Sequence, residues 1–325
     1  MDSPPKPITI LSRGPNHIVV YKPPSVLCHH SYGSWKKKEG KEREIPMLQL
    51  VRDAIDQIDN DDDKNEEDEG SAKKMKRRVN LVHRLDRGAS GALLFAFADE
   101  SEEKNIEDEQ YDKEKEINKN DNHPKGPTAI LQEEMSKSTT IKTYVALVRG
   151  EGILRGEDLK ARGWFDESRP IKDHKGKLYN ATTSFKFICG QKPNGDNEKD
   201  IIKKPRMSIV LARPQHGRWH QIRRHLNGLS SHILGDGTHG CSKTNREWKS
   251  KRNMPKERVF LHLARLQIPS TNYTPEIDCS CPLPRDMLLL LKEYGSDMLD
   301  EAIPVLKTEG IIVDYDENYS LINDS

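Results

Sequence analysis

Two apolar runs, Val79-Asn80-Leu81-Val82 and Ala92-Leu93-Leu94-Phe95-Ala96-Phe97, are split by the polar segment His83-Arg84-Leu85-Asp86-Arg87-Gly88-Ala89-Ser90-Gly91. Short apolar runs divided by glycine and serine read as strand, tight loop, strand. The chain is thereby committed to a β-sheet in this region, and the loop presents one carboxylate, Asp86, between the guanidinium groups of Arg84 and Arg87. An acid placed in this way belongs either to an ordinary surface turn or to a reactive site.

Downstream, the segment Gly217-Arg218-Trp219-His220-Gln221-Ile222-Arg223-Arg224-His225-Leu226-Asn227-Gly228-Leu229 places Ile222, Leu226 and Leu229 at helical spacing, with Arg223 and Arg224 off that stripe. The pattern predicts a short helix with a basic face. Residues Thr140 to Gly150 predict a strand carrying one aromatic, Tyr144, near its start. Periodicity predicts further helices over 47–58 and 285–294. Strand signals mixed with helices, without regular βαβ alternation or an internal repeat, predict an α+β domain on a largely antiparallel sheet.

Only 34% of the 325 residues are hydrophobic while 32% are charged, so part of the chain has to lie outside a core. Asp59 to Glu69 holds eight acids against one Lys, and Asp99 to Asp121 holds eleven against four Lys. Such sequences cannot bury enough apolar area to offset the entropy of ordering, and acidic, disordered insertions are expected over about 59–78 and 99–138. The formal net charge of +1 hides this division: without the two acidic segments, each at −7, the rest carries about +15. Lys203 to Arg265 alone holds fifteen Lys or Arg against three acids, as expected of a surface that follows a phosphate backbone.

No apolar run is long enough to predict a membrane span, and the start of the chain lacks the hydrophobic core of a signal peptide. An intracellular, cytoplasmic protein without membrane contact is expected. The five cysteines, at 28, 189, 241, 279 and 281, form no Cys-x-x-Cys unit, so free thiols are expected rather than a disulfide framework or structural zinc site. The basic run Lys73 to Arg78 reads as a solvated linker, a targeting signal or an RNA contact.

Together with Ile18-Val19-Val20-Tyr21-Lys22-Pro23-Pro24 and Phe260-Leu261-His262-Leu263-Ala264, the Asp86 loop, the Tyr144 strand and the Gly217 to Arg223 segment resemble the RluA family of RNA pseudouridine synthases. The resemblance spans residues 8–295 and leaves 296–325 as a C-terminal tail. No N-terminal RNA-binding module is expected before residue 8. Within the family, Arg223-Arg224-His225-Leu226, Ile233-Leu234-Gly235-Asp236, Thr238-His239-Gly240 and Asn245-Arg246 are most similar to the tRNA-modifying, TruC-like members.

The reaction of that family breaks an N-glycosidic bond, turns the freed uracil and joins it to the ribose through C5, with no net redox change. A carboxylate beside C1′ can form a covalent adduct or stabilise positive charge on the sugar. It can alternatively take a sugar proton and open a glycal-like route. The resemblance implies the pseudouridine synthase catalytic fold, a long mostly antiparallel mixed sheet flanked by helices and loops with an RNA-binding cleft. It also implies a monomer that isomerises a uridine in tRNA, with RNA as partner and neither cofactor nor metal.

Asp86 is then the catalytic carboxylate, with Arg223 as its charge partner and Tyr144 against the uracil. Arg84 helps replace the extruded base in the stack. Leu261, His220, Gln221 and Arg218 complete the substrate contacts, and Gln221 is expected to fix Arg223 or a backbone group. His83, His220, His225, Asp236 and His239 match no common zinc spacing. Two positions depart from the family pattern: Ala89 stands where Thr is common, and bulky Trp219 replaces a small or polar residue. An rRNA-directed synthase and a catalytically silent RNA-binding protein of the same fold remain the alternatives.

Overall fold

The computed structural model describes residues 8–30, 44–65, 78–98, 126–173, 175–191, 205–271 and 274–313. Its strands are β1 (Ile10–Arg13), β2 (His17–Lys22), β3 (Arg78–Leu81), β4 (Ser90–Ala98), β5 (Ile141–Arg149), β6 (Ile153–Leu154), β7 (Glu157–Asp158), β8 (Trp164–Glu167), β9 (Ile171–Lys172), β10 (Leu178–Tyr179), β11 (Thr183–Gln191), β12 (Met207–Pro214), β13 (Leu261–Ile268) and β14 (Ile277–Ser280). The described helices are α1 (Met47–Asn65), α2 (Pro127–Ser136), α3 (Gln221–Gly228), α4 (Ser242–Lys251), α5 (Arg285–Tyr294) and α6 (Ser296–Thr308).

Ten strands form one sheet in the order β1-β2-β4-β13-β5-β12-β11-β8, with β3 also on β4 and β14 also on β13. Within this sheet the β4–β13 pair is parallel, His262 facing Ser90 and Leu263 facing Gly91, and the other described pairs are antiparallel. All nine residues of β4 are buried, the mark of a strand covered on both faces. Gly91 is required at the junction. Its φ is +132°, and a Cβ there would lie 2.5 Å from the backbone N and O of Leu263.

The sheet carries two apolar cores. One gathers Val51 and Ile55 of α1 with β2 and β4, and the other gathers β5, β11 and β12 with α5 and α6. Tyr144 packs against both. It therefore stands at the seam, on the strand next to β13, while the Asp86 loop leads into β4 from the opposite side of β13. The topology alone brings two residues 58 positions apart to the same place.

The structure corrects three boundaries. Within the span expected to be disordered, α2 folds against β4 and buries Leu131 and Met135, four residues apart, while Thr140 Oγ1 donates to Glu134 O at 2.6 Å beyond its end. Likewise α1 continues to Asn65, into the first acidic segment. The expected tail begins as α6, whose Met298, Leu299, Ala302 and Leu306 are buried at helical spacing, and the core extends to Ile311 and Val313. In α2 and α6 a short apolar stripe outweighs the polar residues around it. The rest of the two insertions, 66–77 and 99–125, the basic run up to Arg77, and residues 314–325 lie outside the described residues. No described helix is long and apolar enough to cross a membrane. The five cysteines are free, all buried except Cys241.

Candidate active site

The loop that bears Asp86 is held from beneath by buried cations. Lys22, at the end of β2 and fully buried, donates from Nζ to the carbonyl oxygens of Pro23 at 2.8 Å, Arg87 at 3.1 Å and Ala89 at 2.7 Å. A single ammonium thus gathers three carbonyls around one buried charge. Burial pushes this ammonium down to about 8. Arg258, 1% exposed, donates from Nη1 to Gly88 O at 3.1 Å and from Nε to Asp286 at 2.6 Å. Leu85 bonds through both N and O to Cys28 Sγ at 3.3 Å, and Ser25 N donates to Arg87 O at 2.8 Å. The loop is pinned on both sides of its acid.

Across the cleft, α3 projects Arg223, which is nearly buried. Its Nη1 donates to Asp86 Oδ2 at 2.7 Å, while Nε and Nη2 form a fork onto Asp236 at 2.8 and 2.7 Å. Asp236, 1% exposed, also accepts from the backbone N–H groups of Thr238 and His239, both at 2.9 Å. Burial alone would raise the Asp236 carboxyl, but the Arg223 bonds and these amides outweigh it and bring it below the usual range. Burial would likewise lower the Arg223 guanidinium, and Asp236 followed by Asp86 reverses that effect. Asn245 of α4 fixes the turn in its place, accepting from Gly235 N at 3.0 Å and donating to Asp236 O at 2.8 Å. A continuous path of polar contacts runs from α4 through Asp236 and Arg223 to Asp86.

His220 precedes α3 in a left-handed conformation at φ +53° and places Nε2 3.6 Å from Asp86 Oδ1, too far for a hydrogen bond. Its Nδ1 meets His239 Nε2 at 2.9 Å. Burial lowers the His220 ring to about 4, which leaves it neutral at neutral pH. Tyr144 lies in the floor of the cleft with Leu261. Its hydroxyl is pushed upward by burial and then by the Asp86 charge, so it keeps its proton at neutral pH.

These residues line one open cleft. Asp86, Tyr144, Arg223, Arg84, Leu261, His220, Gln221 and Arg218, all chosen from the sequence, meet in it. Gln221 points elsewhere than Arg223: its Nε2 donates to Thr182 O at 2.9 Å and Thr183 Oγ1 at 3.0 Å, and its Oε1 accepts from Arg218 N. It fixes backbone. His83 accepts from Leu94 N, and His225 bonds Thr183 Oγ1 and Arg169 O, so these rings are tied to separate structural partners. Sequence reasoning assigned no role to Lys22, Arg258 or Asn245 and did not see that Asp236 holds Arg223. For Asp236 a signal existed, an acid between two glycines, Gly235 and Gly237.

A family model described as RNA pseudouridylate synthase matches residues 16–119, which include the Asp86 loop. The tRNA pseudouridine synthase C of Haemophilus ducreyi is 25% identical over 294 residues, covering 90% of this chain and 98% of its own length. That of Pasteurella multocida is 27% identical over 265 residues, covering 80% and 84%. The chain is thus similar over most of its length to RNA pseudouridine synthases of the RluA family. The α+β architecture on a mixed, mostly antiparallel sheet is that of a pseudouridine synthase domain as well: the solved structure of human RNA pseudouridylate synthase domain containing 4 superposes with a TM-score of 0.54 at 18% identity, over 88% of this chain and 92% of that one. In this chain the acid, the guanidinium and the tyrosine come from three separated stretches of sequence and are assembled by the central strands.

Proposed function

We propose that this pseudouridine synthase acts on tRNA, without cofactor, with Asp86 as the carboxylate that works at the ribose. The observation that carries the reading is the pairing of Asp86 with Arg223 at 2.7 Å in a cleft shared with Tyr144 and Leu261. The choice of tRNA follows the names of the relatives that align over most of the chain.

The isomerisation exchanges no electrons with the surroundings, so the chain's own side chains suffice for its steps. Asp86 keeps a lone pair directed into the cleft while Arg223 holds its other oxygen, Oδ2. A carboxylate fixed in this way can attack C1′, stabilise the charged sugar or take the proton from C2′, and all three routes need the ribose against the same oxygen. Tyr144 contacts the uracil through its ring, and its hydroxyl, protonated at rest, can relay the proton that leaves C5 by accepting it while passing its own to another acceptor. Leu261 packs the floor beneath the base. Arg84, exposed at the rim, fills the gap left by the everted nucleotide.

Incubation of the protein with unmodified tRNA and rRNA, followed by carbodiimide-dependent primer extension, tests this reading. Pseudouridine is expected in tRNA with wild type and none with Asp86→Asn, which should bind the RNA within about threefold of wild type because Asp86 contributes no favourable contact to phosphates. Modification of rRNA alone would redirect the substrate assignment. Absence of pseudouridine from both RNAs, with binding intact, would leave only a silent RNA-binding protein.

A further inference from the structure

We propose that Trp219 is a stacking platform for an unpaired nucleobase next to the uridine held at Asp86, so that the substrate is read in a single-stranded or loop segment rather than in an intact duplex. The inference rests on the RNA synthase reading above and extends it to a subsite.

Trp219 is 60% exposed, the most exposed large apolar side chain among the described residues. An indole left in water forgoes much of the burial that makes aromatics favourable. Its ring stacks on His220, centroids 4.0 Å apart at 24°, and meets the edge of His239 at 5.9 Å. The His220–His239 bond holds that support in place. His220 in turn lies 3.6 Å from Asp86, so the platform is one ring removed from the reacting carboxylate. This is the separation of a neighbouring nucleotide, not of the target uridine.

The surroundings are cationic. The Arg224 guanidinium lies 5.8 Å from the indole centroid and is anchored by donating to Lys172 O at 2.7 Å. Arg218, next in sequence, lies 5.1 Å from the Tyr179 ring, with Lys177 also over it at 5.3 Å. Aromatic faces interleaved with Arg and Lys suit bases stacked on rings with phosphates alongside, and an apolar protein partner would find the charges costly. In a duplex both faces of an internal base are already stacked, so only an unpaired base offers one to Trp219.

The test uses fluorescence anisotropy with the full chain and three labelled probes: an oligouridylate, an abasic ribose-phosphate oligomer of equal length, and a matched RNA duplex. Trp219→Ala should weaken oligouridylate binding about 5- to 150-fold and leave the abasic oligomer and the duplex within about twofold of wild type. Trp219→Phe should restore most of the loss and guards against misfolding of the alanine variant. Equal loss on the oligouridylate and the abasic oligomer, or no loss on either, would overturn the proposal. Binding is read without turnover, so the two readings fail separately. Unmodified tRNA with intact Trp219-dependent base binding sinks only the synthase reading. Pseudouridine formation with an oligouridylate affinity indifferent to residue 219 sinks only the platform.

Discussion

Arg223 grips Asp236 with two parallel hydrogen bonds of 2.8 and 2.7 Å and has a single remaining prong for Asp86. The buried acid orients the guanidinium, and the guanidinium orients the half-exposed acid in the cleft. Replacing Asp236 by Ala would leave a nearly buried cation with only the half-exposed Asp86 as partner, and breaking such a buried pair costs about 3–5 kcal/mol. Urea denaturation should show that loss. Arg223→Lys keeps the charge but offers a point donor that cannot span both carboxylates. It should retain more stability than Asp236→Ala yet lose about 100-fold in kcat/KM, the scale expected when a reacting group is misplaced by an ångström. Near-wild-type turnover in Arg223→Lys would refute the orienting role.

Tyr144 tests whether the hydroxyl or the ring matters. Because burial and the Asp86 charge keep the hydroxyl protonated at neutral pH, it can hand over or share a proton but carries no standing negative charge. Tyr144→Phe should lower kcat by about 10²–10⁴ with RNA affinity unchanged, and the wild-type rate should show no limb from this group between pH 7 and 10. Tyr144→Ala should additionally weaken RNA binding, since it removes the ring from the cleft floor. A Phe variant with full turnover would assign Tyr144 to packing alone, consistent with its place between the two cores.

Gly91 is predicted to be irreplaceable. Alanine there would combine a φ of +132° with a Cβ 2.5 Å from two backbone atoms of Leu263, and neither strand can move because β4 is buried throughout. A loss of about 3 kcal/mol or more is expected, read as a lowered denaturation midpoint or as failure to accumulate folded protein. The parallel β4–β13 contact is the link between the half of the sheet that carries Asp86 and the half that carries Tyr144.

The same contact explains what the sequence reveals and what it conceals. Strands β2, β4, β5 and β13 announce themselves as apolar runs, and α1, α3 and α5 through their stripes, because burial writes periodicity directly into residue choice. The eight cleft residues are picked out by the resemblance to a known family, and the pattern alone marks only Asp86, in a short polar segment between two apolar runs. Lys22, Arg258 and Asn245 are not legible, since their work is to satisfy backbone carbonyls and amides far away in sequence, which only the folded chain defines. Helix α4 shows no stripe because only Asn245 and Trp248 of it are buried. Helix α6 is masked by Pro304 inside it and by the polar residues that follow.

His262 supplies the clearest pH dependence. It is fully buried, its Nε2 must donate to Cys281 O at 3.1 Å, and its Nδ1 then accepts from Ser90 Oγ at 3.0 Å. Both ring nitrogens are satisfied by the neutral form, and burial lowers the ring to about 4 from an ordinary 6.5. Between these values the unfolded chain takes up a proton that the folded chain refuses, so stability rises with pH across the window of about 4 to 6.5 and is lost as pH falls through it. The gap corresponds to about 3 kcal/mol for this one group. Asp236 acts in the same direction only at lower pH, because its carboxyl, held below the ordinary 3.8, loses its stabilising charge as pH falls through that lowered value. Urea midpoints measured from pH 7 to 4 should therefore fall steeply. In His262→Gln the slope should shrink by about one proton over the upper part of the window, even though the variant starts from lower stability. An unchanged slope would mean that His262 is already protonated in the folded protein, and the Ser90–His262–Cys281 clip would have to be drawn differently.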